Sequence, residues 1–445
     1  MRQGVFSLWC SQPPGGPAHN VALDPAAKPA YVQPMEKNAD IIVAGGGLGG
    51  SLAALALAHQ GFTVCLVDAA PPAQKTLPDF DGRTTALAYA STRLFRRLGL
   101  WHALAPEAGP IRDILVTDGR PADRFRKGHQ ASGFLHFDST ELAENTPLGW
   151  IVENRRLRQV MHDALEASDA IRVIAPAMIG AVETGPAAVT VPLDTGETLT
   201  ASLLVAADGR RSPLRERAGI RTLGWSYPQT GIVCTVAHEK DHLGIAQEFF
   251  LPSGPFAILP MTGRRSSLVW TEKADRAGSF LALGDEDFTA EIAKRFGPYL
   301  GALSLDGPRW SYPLAFHLAT KFYGERMALV GDAAHGIHPI AGQGYNLGVK
   351  DIAALCDVLA EHRGAGLDIG HGSALAQYDR WRQFDSASLA FGTDVLNRLF
   401  SNDNPALRLA RSTGIGLVNR IDPLRNFFMK QAGADLGTLP SLMQP

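Results

Sequence analysis

Cysteine is scarce in this chain. Four occur among 445 residues, Cys10, Cys65, Cys234 and Cys356, widely spaced and never as C-x-x-C. Neither a zinc site nor a disulfide framework is indicated, and a reducing cytoplasm fits. An excess of one charge is also lacking. The 42 Lys plus Arg against 44 Asp plus Glu leave a formal net charge of −2, too little positive field to hold nucleic acid, so no nucleic-acid partner is expected. No apolar run approaches the roughly 18 residues that cross a bilayer, so no spanning helix is expected. Residues 1–34 contain six prolines but no periodic apolar pattern, and no basic start leading into an apolar stretch. That argues against a signal peptide, and residues 1–35 read as a disordered N-terminal extension.

With 45% hydrophobic and 19% charged residues, the remaining composition is that of a folded protein with a sizeable core, and its length suits two or three domains. The run Ala39–Ala44 predicts a buried strand. Glycines follow it, then Leu52, Ala53, Leu55, Ala56 and Leu57 at helical spacing. Gly61 closes that helix, and Thr63–Val67 predicts a second buried strand ending at Asp68. The unit is β-α-β, the opening of a doubly wound parallel sheet. After Gly119 the pattern turns alternating and turn-rich, becomes helical at Leu157–Leu165, and reaches another buried strand at Leu203–Ala206. Gly231–Val236, Gln247–Leu251, Phe256–Leu259 and Ser267–Thr271 then read as antiparallel strands. Met327–Val330 predicts a last short buried strand, and Leu347–Leu359 a helix. The expected fold is α/β: a Rossmann-like dinucleotide domain with a parallel sheet, discontinuous in sequence, carrying an inserted antiparallel β-rich domain and C-terminal helices.

The glycine run Gly45-Gly46-Gly47-Leu48-Gly49-Gly50 fits G-x-G-x-x-G between strand and helix. Gly45 permits the tight turn, Gly47 admits a pyrophosphate to the backbone, and Gly50 lets helix and strand pack closely. The helix N-terminus then presents free N–H groups to anionic phosphate. Asp68 stands 21 residues beyond Gly47, where a carboxylate accepts hydrogen bonds from ribose hydroxyls. No second such motif follows another strand, so any pyridine nucleotide must visit the same cofactor.

Two further motifs are Val205-Ala206-Ala207-Asp208-Gly209-Arg210-Arg211-Ser212-Pro213 and Gly331-Asp332-Ala333-Ala334-His335-Gly336-Ile337-His338-Pro339, the latter continuing through Gly342, Gln343, Gly344, Tyr345, Asn346, Leu347 and Gly348. Asp332 ends a strand within reach of a sugar hydroxyl, and Gly342, Gly344 and Gly348 open another helix whose amides can stabilise negative charge on a bound ring. Together the three motifs resemble, in order and spacing, those of the class A FAD-dependent aromatic hydroxylases over most of residues 36–440. Asp81-Gly82-Arg83-Thr84-Thr85-Ala86-Leu87, Val152-Glu153-Asn154 and Trp225-Ser226-Tyr227-Pro228-Gln229 tilt the resemblance towards the ubiquinone-biosynthesis hydroxylases of the UbiH and UbiF type. Asp68 departs from it, since many relatives carry Glu there.

The resemblance implies tightly but non-covalently bound FAD, transient NAD(P)H or another reductant, and O2 as co-substrate. Its implied cofactor residues are Gly45, Gly47, Gly50, Asp68, Arg83, Asn154, Asp208, Gly209, Gly331, Asp332, Pro339, Gly342, Gly344, Tyr345 and Asn346. It also implies that a flavin hydroperoxide hydroxylates the ring of a polyprenylated phenol, so the cofactor carries the chemistry and no protein acid or base is assigned. A water-excluding pocket is needed. Tyr227, Phe249, Phe256, Leu259, Pro260 and Trp270 are the candidates to wall it, with plain core residues as the competing reading. His335 and His338 come with no third ligand, so no metal is expected.

Expected domain boundaries are 36–118, 150–220 and 322–365 for FAD binding, 119–149 and 221–321 for the β-rich substrate domain, and 366–445 for C-terminal helices. Between residues 398 and 430, six basic residues against two aspartates interleave with apolar ones. Such a surface suits peripheral contact with anionic lipid on the inner face of the cytoplasmic membrane, or equally a solvated helical face packed on the catalytic domains. A complex with other quinone-biosynthesis proteins is a further partner consistent with the resemblance. Two other functions fit the same motifs: a soluble flavin hydroxylase of a small aromatic or polyketide, and a non-catalytic flavin-binding subunit of a biosynthetic complex.

Overall fold

The computed structural model describes residues 38–71, 81–119, 134–142, 146–400, 421–435 and 437–445. The reading of residues 1–35 as a disordered extension falls outside them. The four apolar residues Ile41–Ala44 leave no polar face, and the structure uses them as an inner strand, paired in parallel with Leu203–Ala206 on one side and Val64–Val67 on the other. The sheet continues outward to Met327–Leu329 and Tyr323–Gly324 past the first neighbour, and to Ile171–Ile174 past the second. Five of its strands are parallel, and Tyr323–Gly324 alone runs antiparallel. Helices Leu48–His59 and Gln343–Gly364 join this sheet in the largest core cluster, which takes in Leu52, Leu57, Leu347 and Leu355. Gln343–Gly364 starts four residues before the helix predicted from periodicity, because its first turn carries the polar and glycine residues of the cofactor motif.

A second, largely antiparallel sheet is built around the long strand Thr222–His238, which pairs with Arg265–Lys273 and with Trp310–Ala319. Gly254–Pro260, Ile245–Leu251, Asp113–Asp118 and Phe134–Asp138 extend it. One domain boundary is corrected here: the β-rich sheet begins at Asp113 rather than at residue 119. Asp113–Asp118 pairs in parallel with Ile245–Leu251, a partner some 130 residues later in the sequence, and no local pattern announces such a pairing. A three-stranded sheet of Thr84–Ala88, Gly149–Glu153 and Gly109–Ile111 joins the two parts. The C-terminal region is helical at Gly372–Phe400 and Asp422–Ala432. Among the described residues no helix is long and apolar enough to cross a membrane.

Candidate active site

Sheet order brings the three motifs together. Strands ending at Val67, Ala44, Ala206 and Leu329 lie side by side in parallel, so Asp68, Gly45, Asp208 and Gly331 follow one another along a single sheet edge. Gly45 sits at φ +98°, and a Cβ there would stand 2.5 Å from the carbonyl oxygen of Ala207. A Cβ on Gly50 would overlap the carbonyl oxygen of Gly45. Gly47, by contrast, has nothing within 4 Å of its Cβ direction. Two glycines are therefore required by packing and the third leaves room. The helix Leu48–His59 has no side-chain cap, which leaves its N-terminal amides for an anion. A groove lined by Gly46, Gly47, Leu48, Asp68, Arg158 and Val173 runs past this terminus. Asp68 anchors it, accepting from the amides of Gly46 and, at 2.7 Å, of Ala70.

Arg158 was not apparent as a site residue, although it lies four residues after Asn154 on one helix, a spacing that shares a face. It donates to Asp81 Oδ2 at 2.7 Å, and Arg83 reaches the same oxygen at 2.7 Å. Burial works against a charged Asp81, but bonds from Arg83 and Arg158 overcome this and hold its carboxyl below the usual range. Arg83 also lies over the Trp310 ring, 5.1 Å from its centroid. Asn154 accepts from Thr85 Oγ1 at 2.6 Å, and its own amide donates to the Arg83 carbonyl. The pair named from the motifs is thus fixed at the joint between strand Thr84–Ala88 and helix Asn154–Glu166.

The second and third motifs are bolted together by Arg215, a buried side chain donating to the Ala333 carbonyl at 2.8 Å and the Arg210 carbonyl at 3.0 Å. Asp208 accepts the Leu214 amide with one carboxylate oxygen; its other oxygen is buried with no partner among the described residues. Gly209 adopts φ +87° in the turn between them. Gly342 is left-handed at φ +63° and opens helix Gln343–Gly364, again without a side-chain cap, just after Pro339 and a single 3-10 turn. Nothing lies within 4 Å of the Cβ direction of Gly344. Asn346 is spent on protein: it accepts the Ala88 amide and donates to the Ala86 and Gly342 carbonyls. Tyr345 donates to the Leu48 carbonyl at 3.3 Å, linking this helix to the first motif.

Behind the Gly331-Asp332 turn lies a buried charge cluster that local sequence does not reveal. Asp351 is fully buried and accepts from the Gly331 amide at 3.1 Å and from Arg382 Nε at 2.8 Å, with His335 Nε2 at 2.5 Å. Burial opposes its charge, yet His335 and Arg382 hold the carboxyl below the usual range. Asp385 receives Arg382 and Lys350 in turn. His335 is therefore structural. His338 differs: it is buried beside Tyr227, rings 5.3 Å apart, and neither of its nitrogens has a partner among the described residues. Burial, opposed only by Asp394, pulls it down to about 4.

The expected pocket wall is corrected by the second sheet, which is buried on both faces. Phe249, Phe256 and Trp270 point to the face covered by helices Ala274–Leu281 and Asp285–Phe296, where they pack with Phe280, Phe288 and Phe296. The opposite face carries Ala246, Phe250, Leu259 and Met261 in one cluster with Ile340, Ile111 and Met429. On that same face Ser267 lies 2.7 Å from the Thr84 hydroxyl, beside Arg83, and Arg265 pairs with Glu153, beside Asn154. This is the cofactor side. Of the six expected residues only Leu259 lies in that cluster; Tyr227 packs in the main core with its hydroxyl on Asp394, and Pro260 ends its strand. Alternation gives the two sets of side chains but not which set faces the cofactor, since both faces are apolar.

The residues present fit FAD: an open phosphate groove beside an uncapped helix, an orphaned Asp208 oxygen at the same edge, and a second uncapped helix opening at Gly342. Residues 38–383 match the FAD binding domain family. The chain is 45% identical over 417 residues to ubiquinone hydroxylase UbiL of Rhodospirillum rubrum, covering 93% of each chain. It is 34% identical to 3-demethoxyubiquinol 3-hydroxylase of Escherichia coli, over 88% of this chain and 98% of that one. The crystal structure of p-nitrophenol 4-monooxygenase PnpA from Pseudomonas putida superposes with a TM-score of 0.73 at 18% identity, covering 91% of this chain and 100% of that one.

Gly47→Ala is expected to leave apoprotein stability within about 0.5 kcal/mol of wild type while weakening FAD binding at least about tenfold, whereas Gly50→Ala destabilises the fold itself by more than about 2 kcal/mol. Urea unfolding of apoprotein with FAD titration separates the two. Asp351→Ala should cost about 3–5 kcal/mol, because it removes the carboxylate that the buried Arg382 Nε and His335 share, leaving Arg382 with Asp385 alone. Because the folded His338 pKa is depressed, folded protein binds fewer protons than unfolded protein between about 6.5 and about 4, and stability falls as pH drops through that window. Unfolding free energies of His338→Phe should decline less between pH 7 and 5, and equal slopes for variant and wild type would count against this.

Proposed function

The chain belongs to the FAD binding domain family, and from that premise we propose that it hydroxylates the aromatic ring of a polyprenylated phenol in ubiquinone biosynthesis. The observation that carries this reading is the likeness to ubiquinone hydroxylases along nearly the whole chain, joined to an apolar cluster that includes Ile340 and Ala86 beside the Gly342 turn. FAD supplies, when bound, the redox chemistry that activates O2 with electrons from NAD(P)H. The chain's own residues do the rest. Gly47 and the helix amides behind it would receive the pyrophosphate, and Asp68 the ribose. Asn154 and Asp332 would meet the sugar-chain hydroxyls. Phe250, Leu259, Met261, Ile340 and Met429 exclude water from the reacting ring.

A polyprenyl tail partitions into lipid, so the enzyme meets its substrate at a membrane surface, on the inner face of the cytoplasmic membrane. Phe384, Phe391 and Val395 are 77%, 46% and 58% exposed and share one face of helix Gly372–Phe400, at spacings of seven and four. Such a row supports peripheral lipid contact, alone or beside partner proteins of the same pathway. In the C-terminal basic stretch, Arg425 pairs with Glu141, Met429 packs inward and Phe427 is exposed, so its helix serves packing as well; residues 401–420 lie outside the described ones.

Expression in strains that each lack one ring hydroxylase, followed by quinone profiling, should restore ubiquinone in at least one and clear its accumulated phenolic intermediate. Restoration in none would remove the reading. Flotation with vesicles of phosphatidylglycerol should exceed that with phosphatidylcholine alone, and a Phe391→Asp and Val395→Asp double variant should lose most of it.

A further inference from the structure

Glu248 sits in the middle of strand Ile245–Leu251, opposite Val116 on one neighbouring strand and Ala257 on the other. Alternation places it with Ala246 and Phe250, on the face that joins Leu259, Met261, Ile340 and Met429. It is therefore a carboxyl group inside the apolar cluster on the cofactor side. The residue is only 9% exposed and lies among apolar side chains. Titratable groups on neighbouring strands and on helix Asp422–Ala432 include Asp113, Asp118, Arg265, Arg425 and Lys430. Arg265 is held by Glu153 and Asp306, and Arg425 by Glu141. None of them sets its protonation; burial alone pushes Glu248 up to about 8. At neutral pH it is chiefly a neutral acid, with one O–H to donate and a carbonyl oxygen to accept.

We propose that Glu248 hydrogen-bonds to the ring hydroxyl of the aromatic substrate and thereby fixes which ring carbon meets the cofactor. The assignment rests on the reading of this chain as a phenol hydroxylase. Setting a carboxyl among apolar side chains is costly, and an apolar residue of the same size would fill the strand position without that cost. A phenol entering the cluster can exchange a hydrogen bond with this carboxyl and is oriented by it, while its tail and ring contribute only non-directional burial. No proton or electron changes hands in this step. Glu248 is a binding and specificity residue.

The test uses the FAD-loaded full chain and two probes, 2-prenylphenol and its methyl ether, with dissociation constants read from flavin fluorescence. Wild type should prefer the phenol by about tenfold at pH 7. Glu248→Leu should lose that preference with FAD content unchanged, hydroxylate at mixed ring positions, and bind the ether at least as well. Glu248→Gln, which keeps a donor and an acceptor, should restore both the preference and the single product. Should Glu248→Leu not fold, Glu248→Met decides in the same assay. A wild type without preference, or a Leu or Met variant that keeps it, overturns the assignment. If wild type prefers the phenol yet hydroxylates neither it nor longer-tailed phenols, the functional reading fails while Glu248 stands; if wild type hydroxylates and the variants match it, Glu248 alone fails.

Discussion

The site depends on the parallel pairing of four short strands whose C-terminal ends finish at one level. Backbone hydrogen bonds between Ile41–Ala44, Val64–Val67, Leu203–Ala206 and Met327–Leu329 set that level. Whatever follows each strand is then presented at the same edge, so Gly45, Asp68, Asp208 and Gly331 meet although nearly 290 residues separate the first from the last. Close approach tightens the arrangement further. The carbonyl of Ala207 and the backbone of Gly45 and Gly50 stand so near one another that side chains are excluded by volume. Rigidity at this edge fixes the direction of the helix amides, which is what anion binding needs.

A second constraint is electrostatic and lies behind the site. Asp351 places a full negative charge in the interior, where it survives through Arg382, His335 and the Gly331 amide. Because one of those donors is the backbone of the Gly331-Asp332 turn, the charge cluster and the cofactor edge are a single unit. Arg215 does the same between the second and third motifs, and Asn346 between the glycine turn and strand Thr84–Ala88. Several residues that a motif reading assigns to the cofactor thus work on the protein that shapes its seat.

The β-rich sheet shows the opposite situation, in which one side chain carries the chemical information. Its two apolar faces are interchangeable in composition, one covered by helices Ala274–Leu281 and Asp285–Phe296 and the other turned to the cofactor. Polar side chains mark the second face: Ser267 and Arg265 tie it to the FAD-binding part, and Glu248 stands among its apolar residues. A strand written A-Q-E-F-F-L is ambiguous in isolation, since Gln247 and Glu248 put a polar residue on each face.

The parallel strands, the glycine turn, the helix behind it and Asp68 were legible from sequence alone, because they rest on local patterns: an unbroken apolar run, glycines where backbone crowds backbone, and apolar residues at helical spacing. The order of the three motifs was likewise written in the chain. Tertiary structure decided what depends on partners remote in sequence: the pairing of Asp113–Asp118 with Ile245–Leu251, the union of Asp351 with Arg382, the meeting of Asp81 with Arg158, and the burial of Glu248 rather than Phe249 towards the cofactor. The reason is physical. Period and propensity act within a few residues, whereas which face is covered, and which charge is left in the interior to be paired, is settled only when distant segments pack.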